Sequence, residues 1–215
     1  MGPGGGREGV AKPLSFTLAR DYPPSMFNDR ATPLSLLATR RSGKARDLGD
    51  PGPTPGQLDR LLGVAARVPD HGKLAPWRFV VIDNRAAFAD VLEAAWCAQD
   101  CDPAPAAVQA VRDFARQAPC IVVVISRVVA PHKIPAWEQE LSAGAACGLL
   151  CAAASAMGFA ANWITGWAAY APGVIAALGQ PGDRIAGFVF IGTPTLPLEE
   201  RPRPPLATVV RRWDG

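Results

Sequence analysis

The chain has 215 residues, of which 49% are hydrophobic and 19% are charged, and its formal net charge is +3. This length and apolar content predict one well-buried domain and exclude a disordered or solvating protein. The small charge is spread over both halves of the chain, which argues against nucleic acid as the main partner.

Residues 1–30 predict a separate N-terminal segment. They contain GPGGG, Pro13 and Tyr22-Pro-Pro but no sustained apolar period. We therefore expect a partly disordered extension over 1–30 and a single domain over 31–215. The glycine-rich start is not followed by the apolar run of a signal peptide, so the cytoplasm is the expected location.

Capping and periodicity signals predict the elements of the domain. Thr32-Pro33 and Thr54-Pro55 each place a capping threonine before a proline, which favours the start of a helix. The first helix ends around 39–42 and the second near Arg67, with a polar loop between them. In chain order the remaining predictions are a strand over 77–82, helices over 84–97 and 104–115, a strand over 120–125, a long helix over 136–157 ended by Gly158, a strand over 159–165, a short helix over 172–178, a strand over 185–191 and an extended arm over 193–205. Because helices and strands do not alternate regularly, this order predicts an α+β fold.

The stretch over 143–164 is almost free of charge and raises the alternative of a membrane span. Gly144 and Gly148 even have a spacing that suits close helix packing. The stretch is dominated by alanine, however, and it contains Ser155 and Asn162. A weakly hydrophobic helix of small residues fits the crowded centre of a protein domain better than lipid, so we expect no membrane partner.

Five cysteines are present, without a C-x-x-C motif or a zinc-type Cys/His spacing. Cys97 and Cys101 lie four residues apart in segments that read as helical, as do Cys147 and Cys151. We expect free, buried thiols in a reducing compartment, and a redox pair is the alternative.

Several common catalytic motifs are absent from the sequence. It has no Walker loop, no G-x-S-x-G and no H-E-x-x-H, and the glycines near the N-terminus neither follow a predicted strand nor open a helix. His71 and His132 are the only histidines, which excludes a His-rich metal site. Hydrolase and metalloenzyme interpretations therefore lose ground, and we expect no metal and no catalytic protein nucleophile.

Three segments could bind a ligand. Arg40, Arg41 and Ser42 end a predicted helix, and two guanidiniums with a hydroxyl can hold a phosphate, although a solvated basic helix end is the alternative. The run Arg67-x-Pro-Asp-His71-x-x-Leu-x-Pro-Trp77 predicts a rigid loop with polar donors beside a flat apolar wall, as an aromatic cofactor needs, unless the loop is purely structural. The small residues over 158–166, with Ile191-Gly-Thr-Pro194, allow close approach to a ligand that Trp163 packs against; core packing with a tight turn is the alternative.

Taken in order from Leu34 to Pro205, these segments resemble the nitroreductase family, in particular its YdjA-like branch. The further segments that match are His132-Lys-Ile-Pro135, Trp137-Glu-Gln-Glu140, Ser142-Ala-Gly144, G-F-x-x-x-W over 158–163 and the closing I-G-T-P. The resemblance implies a nitroreductase-like fold, with a mixed sheet flanked by helices and a long central helix at a homodimer interface that binds FMN.

The resemblance also implies roles for individual residues. Arg40, Arg41 and Ser42 would contact the phosphate and ribityl end of FMN, and Trp163, Ile164 and Thr165 would line its isoalloxazine ring. Arg67 and His71 would contact FMN from the partner subunit or across the interface. The nicotinamide dinucleotide would meet Ala153, Ala154, Ser155, Ala156, Met157 and Gly158. Arg201 or Arg203 could reach the phosphate, and His132 and Glu138 could border the opening, unless they only cap a helix and pack the dimer.

The implied activity is that of an FMN-dependent oxidoreductase. It would transfer a hydride from NADH or NADPH through flavin N5 to a small acceptor such as a nitroaromatic or a quinone. The alternative is a protein that binds or sequesters flavin without efficient turnover.

Overall fold

The computed structural model describes residues 27–100 and 102–215. Within them the helices are α1 (Pro33–Thr39), α2 (Pro55–Ala65), α3 (Arg85–Cys97), α4 (Pro105–Phe114), α5 (Ala136–Ala156), α6 (Pro172–Leu178) and α7 (Leu206–Val209). The strands are β1 (Leu48–Gly49), β2 (Trp77–Val81), β3 (Cys120–Ser126), β4 (Ala160–Ile164) and β5 (Arg184–Pro194). Every helix and strand predicted between residues 32 and 191 is confirmed, whereas β1 and α7 were not predicted.

The starts of α1 and α2 follow from their capping residues. The side chain of Thr32 accepts a hydrogen bond from the backbone N–H of Ser35, and the side chain of Ser35 accepts one from the backbone N–H of Thr32. The two bonds form a capping box. Thr54 and Gln57 form the same motif before α2. Both helices have proline in the first turn, where no N–H is needed.

The sheet has the order β2-β3-β5-β4, and β1 pairs with the C-terminal end of β5. The α+β class is confirmed, but the prediction of a mixed sheet is wrong for the described strands, since every pair is antiparallel. The physical reason lies in the connections. Between β2 and β3, for example, α3 and α4 pack on each other as a hairpin, which returns the chain to the end of the sheet where β2 finished.

Helices cover both faces of the sheet. All seven residues of β3 are buried, and the first six alternate between two apolar clusters. Ile121, Val123 and Ile125 pack with α3, α4 and α6. The intervening residues, such as Val122 and Val124, pack with α2 and α5. Burial on both faces explains why the sequence of β3 is continuously apolar instead of alternating.

Helix α5 spans 21 residues and lies along one face of the sheet. Its buried side includes Ala146, Cys147 and Leu150, whereas Trp137 and Leu141 on its other side are 66% and 52% exposed. No helix in the described part of the chain has the length and apolar character to cross a membrane.

Most of the expected N-terminal extension lies outside the described residues, and its limit at residue 30 stays a prediction. The part that is described packs against α1. The backbone N–H groups of Asn28 and Asp29 donate to the carbonyl and hydroxyl of Thr39, and the side-chain oxygen of Asn28 accepts from the backbone N–H of Arg41 at 3.0 Å.

The described cysteines are free thiols. Cys120, Cys147 and Cys151 are buried as expected, whereas Cys97 is exposed. Cys101 lies outside the described residues, so the Cys97–Cys101 pair stays a prediction. Burial raises the pKa of Cys120 and Cys151 to about 11 and that of Cys147 to about 12. Burial and a raised pKa make the thiols of Cys147 and Cys151 unreactive, which disfavours the redox-pair alternative for them.

Candidate functional site

The loop that follows α1 buries an arginine. The side chain of Arg41 is only 6% exposed. Its guanidinium donates to the carbonyl oxygens of Ala38 and Arg40 at 3.2 and 2.9 Å, and it forms an ion pair with Glu200 of the C-terminal arm. The guanidinium also lies over the ring of Phe27, 4.7 Å from its centroid.

Other cations gather around Arg41. Burial, and then the nearby charges of Arg203 and Arg40, lower the pKa of Arg41 from its usual value. The guanidinium of Arg40 donates to the hydroxyl of Ser42 at 3.4 Å. A cleft of about 100 Å³ opens beside this loop, and its lining includes Ser42, Lys44 and Arg201. The arrangement is a local concentration of positive charge that can hold an anion.

Asn162 connects this basic loop to strand β4. Its side-chain amide donates to the carbonyl oxygen of Gly43, which directly follows Ser42. Asn162 is itself followed by Trp163, so this hydrogen bond attaches the basic loop to the strand that carries Trp163. The side-chain oxygen of Asn162 and Nε of Arg41 are buried, and neither has a hydrogen-bond partner among the described residues. Buried polar atoms without partners are uncommon and indicate that a ligand or water belongs nearby.

Trp163 lies against glycine on the sheet. Its indole N–H donates to the carbonyl oxygen of Ala186 at 3.1 Å, at a point where β5 bulges relative to β3. A Cβ atom on Gly187 would overlap the indole, and the far edge of the ring reaches Gly144 of α5. The ring is 43% exposed, so part of its flat surface stays available to a ligand.

A second cleft begins where β4 ends. It has a volume of about 320 Å³, and its lining includes Ser126, Gly144, Thr165 and Tyr170. The hydroxyl of Ser126 is buried without a partner among the described residues. Ile164 and Thr165 follow Trp163 and are partly buried. Thr165 lines this cleft, whereas Ile164 packs against the apolar cluster that includes Ile121, Val123 and Ile125.

The proline-framed loop is held by its own polar residues. The carboxylate of Asp70 accepts from the backbone N–H groups of Leu74 and Ala75 at 3.0 and 2.9 Å. Gly72 has φ +77, and a Cβ there would overlap Ile134, so only glycine fits both the conformation and the space. His71 is exposed, and its Nδ1 lies 2.7 Å from a carboxylate oxygen of Glu138 at the start of α5.

Trp77 has a structural role. Its indole N–H donates to the hydroxyl of Ser142 at 3.2 Å, and that hydroxyl donates to the carbonyl oxygen of Pro69 at 2.7 Å. Ser142 therefore attaches both the proline loop and β2 to α5. The density of special residues in this segment is explained largely by these contacts.

The residues predicted to contact FMN lie in three groups, and a hydrogen bond joins two of these groups. Arg40, Arg41 and Ser42 lie together and are joined through Asn162 to Trp163, Ile164 and Thr165. Arg67 and His71 are exposed, and no hydrogen bond or ion pair of the described residues joins them to the other two groups.

The residues predicted to meet the nicotinamide form the end of α5 and the turn after it. Ala153, Ala154 and Ser155 are buried, and the hydroxyl of Ser155 donates to the carbonyl oxygen of Cys151. Only Ala156, Met157 and Gly158 are accessible to a ligand here. Gly158 ends the helix with φ +92, and the guanidinium of Arg30 lies against it.

Sequence reasoning missed Glu200, Lys44 and Gly187 as parts of the site. Glu200 and Lys44 lie far apart in sequence and no local pattern joins them. Gly187 interrupts an apolar strand, and an isolated glycine in a strand is a known signal for close approach of another group.

Two comparisons with known proteins, one with a family model and one with single sequences, point to the same family. Residues 37–193 match the model of the Nitroreductase family. The chain is 40% identical over 166 residues to the Escherichia coli K12 protein named "Putative NAD(P)H nitroreductase YdjA", a match that covers 76% of this chain and 88% of that protein.

Among solved structures, the Nitroreductase-like Family Protein from Bacillus cereus superposes with a TM-score of 0.73 and 21% identity, covering 86% of this chain and 97% of that chain. A "putative nitroreductase in complex with fmn" from Desulfovibrio desulfuricans superposes with a TM-score of 0.64 and 21% identity, covering 85% and 97% of the two chains. At these identities the two superpositions establish the fold alone.

Proposed function

The chain belongs to the nitroreductase family, and from that premise we propose that it is an FMN-dependent oxidoreductase that takes electrons from NADH or NADPH. One observation carries the proposal. Asn162 holds the basic loop of Arg40, Arg41 and Ser42 against the strand that bears Trp163. The basic loop, which can bind an anion, therefore lies next to the strand that carries Trp163, and this neighbourhood supports a site for a phosphorylated flavin.

The basic loop fits the phosphate of FMN. Guanidiniums donate parallel hydrogen bonds that match phosphate oxygens, and Ser42 adds a hydroxyl donor. Arg201 and Arg203 of the C-terminal arm lie close enough to take part, since Arg201 lines the cleft and Arg203 lowers the pKa of Arg41. The unpartnered Nε of Arg41 and side-chain oxygen of Asn162 are further support, because a bound ligand would supply the polar contact that they lack.

The isoalloxazine ring is proposed to lie near Trp163, Ile164 and Thr165. Trp163 is held by its hydrogen bond to Ala186 and presents a partly exposed aromatic surface. Thr165 lines the adjoining cleft, which is large enough to admit a small aromatic acceptor.

The proposal includes a homodimer with FMN at its interface. Exposed apolar side chains continue along α1 and α5, at Leu34, Leu37, Trp137 and Leu141. Exposed apolar side chains on two helices that pack against each other favour burial by another subunit. Arg67 and His71 do not reach the site within one chain, so we propose that they contact FMN from the partner subunit.

Bound FMN would supply the redox chemistry, which is hydride transfer from NAD(P)H at N5 followed by reduction of a small acceptor such as a nitroaromatic or a quinone. The task of the protein residues is to bind, orient and shield the ring. Arg40, Arg41 and Ser42 would hold the phosphate, and Trp163 would contact the ring. The accessible residues at the end of α5, from Ala156 to Gly158, are proposed to meet the dinucleotide.

A cytoplasmic location belongs to the same proposal. The described cysteines form no disulfide, which fits a reducing compartment.

The test is an anaerobic titration of the purified protein, reconstituted with FMN, by NADH and by NADPH. We expect flavin absorbance in the purified or reconstituted protein and bleaching by at least one of the two donors. A protein that ignores added FMN would contradict the proposal. Flavin that binds but is not bleached by either donor would instead support a binding or sequestering role.

Two variants sharpen this test. Arg40→Gln is expected to weaken FMN binding. Arg46→Gln is the matched control, because Arg46 lies in the same segment, its side chain is 74% exposed, and its one ion-pair partner among the described residues is Asp47, at 3.9 Å. Equal losses in both variants would show a general charge effect and not a phosphate site.

A further inference from the structure

The carboxylate of Glu200 pairs with the guanidinium of Arg41, a residue proposed above to hold the phosphate of FMN. Glu200 lies in the arm that follows β5, and it is the one acidic partner of Arg41 among the described residues. The other acceptors of the Arg41 guanidinium are backbone carbonyls within its own helix end. The charge of this buried arginine is therefore balanced by a side chain that is 159 residues away in sequence.

The surrounding contacts strengthen this arrangement. One carboxylate oxygen of Glu200 accepts from the backbone N–H of Arg201 at 2.8 Å and lies 3.9 Å from Nε of Arg203. The preceding residue, Glu199, lies 3.9 Å from the ammonium of Lys44. Two consecutive carboxylates thus face cations that line or flank the proposed phosphate site.

Carboxylate and phosphate use the same guanidinium donors. A phosphate that binds Arg41 must therefore displace Glu200 or lie beside its negative charge. Either event lowers the affinity for a phosphorylated ligand and leaves the affinity for an unphosphorylated one unchanged.

We propose that Glu200 competes with the phosphate of FMN for Arg41 and is thereby a specificity-determining residue of the cofactor site. The proposal rests on the proposed function. In the flavin-free protein Glu200 compensates the charge of Arg41, whose burial without an anion would destabilise the fold. When FMN binds, its phosphate supplies the negative charge beside Arg41, and Glu200 is released from the ion pair.

The test compares FMN and riboflavin binding, by quenching of flavin fluorescence, in the wild type, Glu200→Gln and Glu199→Gln. Glu200→Gln is expected to lower the Kd for FMN about fivefold, since a partly exposed ion pair contributes about 1 kcal/mol, and to leave the Kd for riboflavin unchanged. Glu199→Gln is the matched control and is expected to change the FMN Kd less than about twofold, because its partner distance is long and both side chains are exposed.

A second readout separates competition from a purely structural role. Glu200→Gln is expected to lower the urea midpoint of the flavin-free protein while it tightens FMN binding. If Glu200 only positioned Arg41, Glu200→Gln would lower both the urea midpoint and the affinity for FMN. Unchanged or weaker FMN binding in Glu200→Gln would overturn the proposal.

Failure of the proposed function gives a different pattern, in which the wild type binds neither flavin. Inorganic phosphate then serves as the probe in thermal unfolding. A larger phosphate-induced rise in Tm for Glu200→Gln than for the wild type supports competition at Arg41, whereas equal rises overturn it.

Discussion

Replacement of Gly187 by alanine tests whether Trp163 is held where the cofactor proposal needs it. A Cβ atom at position 187 would overlap Nε1 and Cδ1 of the indole. The indole must then move outward by about an ångström or more to reach an ordinary contact of about 3.5 Å. Such a movement removes the 3.1 Å hydrogen bond from Nε1 to the carbonyl oxygen of Ala186.

The expected loss of stability follows from these contacts. A neutral hydrogen bond contributes about 1 kcal/mol, and forcing a methyl group into a packed position costs about 1–3 kcal/mol. Alanine is favoured over glycine within a strand by about 0.5–1 kcal/mol, which offsets part of the loss. We therefore expect Gly187→Ala to lower the free energy of unfolding by about 2 kcal/mol.

The assay is urea unfolding followed by circular dichroism at a fixed protein concentration, as a double-mutant cycle with Trp163→Ala. Without the indole, the closest remaining neighbour is the carbonyl oxygen of Ile164 at 3.3 Å, which small shifts can relieve. Gly187→Ala should then be neutral or slightly stabilising. An equal loss in both backgrounds would refute the reasoning, because the loss would then not arise from Trp163. Gly63→Ala in α2 is the control, since a Cβ there meets nothing within 4 Å.

Three further predictions concern charge and thiol chemistry. Arg41→Ala is expected to weaken FMN binding about 10- to 100-fold, because charged hydrogen bonds contribute about 1.5–3 kcal/mol, and to weaken riboflavin binding much less. Equal effects on both flavins in fluorescence titrations would contradict a phosphate contact. The hydrogen bonds from Arg127 lower the pKa of Asp183, so the stability that wild type has over Asp183→Asn should be constant near neutral pH and should shrink as the pH falls below about 4. A gap in urea midpoints that is as large at about pH 3 as at neutral pH would be inconsistent with this. Alkylation at pH 8 followed by mass spectrometry should leave Cys147 unmodified in the native protein, since burial raises its pKa to about 12, and should label it after unfolding; rapid native labelling would argue against its burial.

Local signals in the sequence were sufficient for most of the secondary structure. The capping threonines before α1 and α2, the apolar run of β3 and the glycine after α5 each act within a few residues, so their effect can be read from the sequence. The two-residue strand β1 escaped prediction because it exists only through its pairing with β5. The sheet was expected to be mixed. Whether neighbouring strands run parallel or antiparallel depends on the end of the sheet to which the connecting helices return the chain.

Some parts of the candidate site could be predicted from the sequence better than others. The residue types for binding a phosphate and an aromatic ring stand out in Arg40, Arg41 and Trp163. Trp77 also stood out, but its indole hydrogen-bonds Ser142 and supports the loop. The pattern of a motif does not reveal whether an aromatic side chain faces a ligand or another element.

The sequence by itself determined which residues carry charge, which segments form helices and strands, and that the motifs follow the order seen in the nitroreductase family. Only the tertiary structure decided that Asn162 joins the basic loop to β4, that Gly187 accommodates Trp163 and that Glu200 balances Arg41. Capping and periodicity arise from interactions within one or two turns of the chain. These three contacts join residues from 24 to 159 positions apart, and they depend on how the packed elements bring distant backbone together.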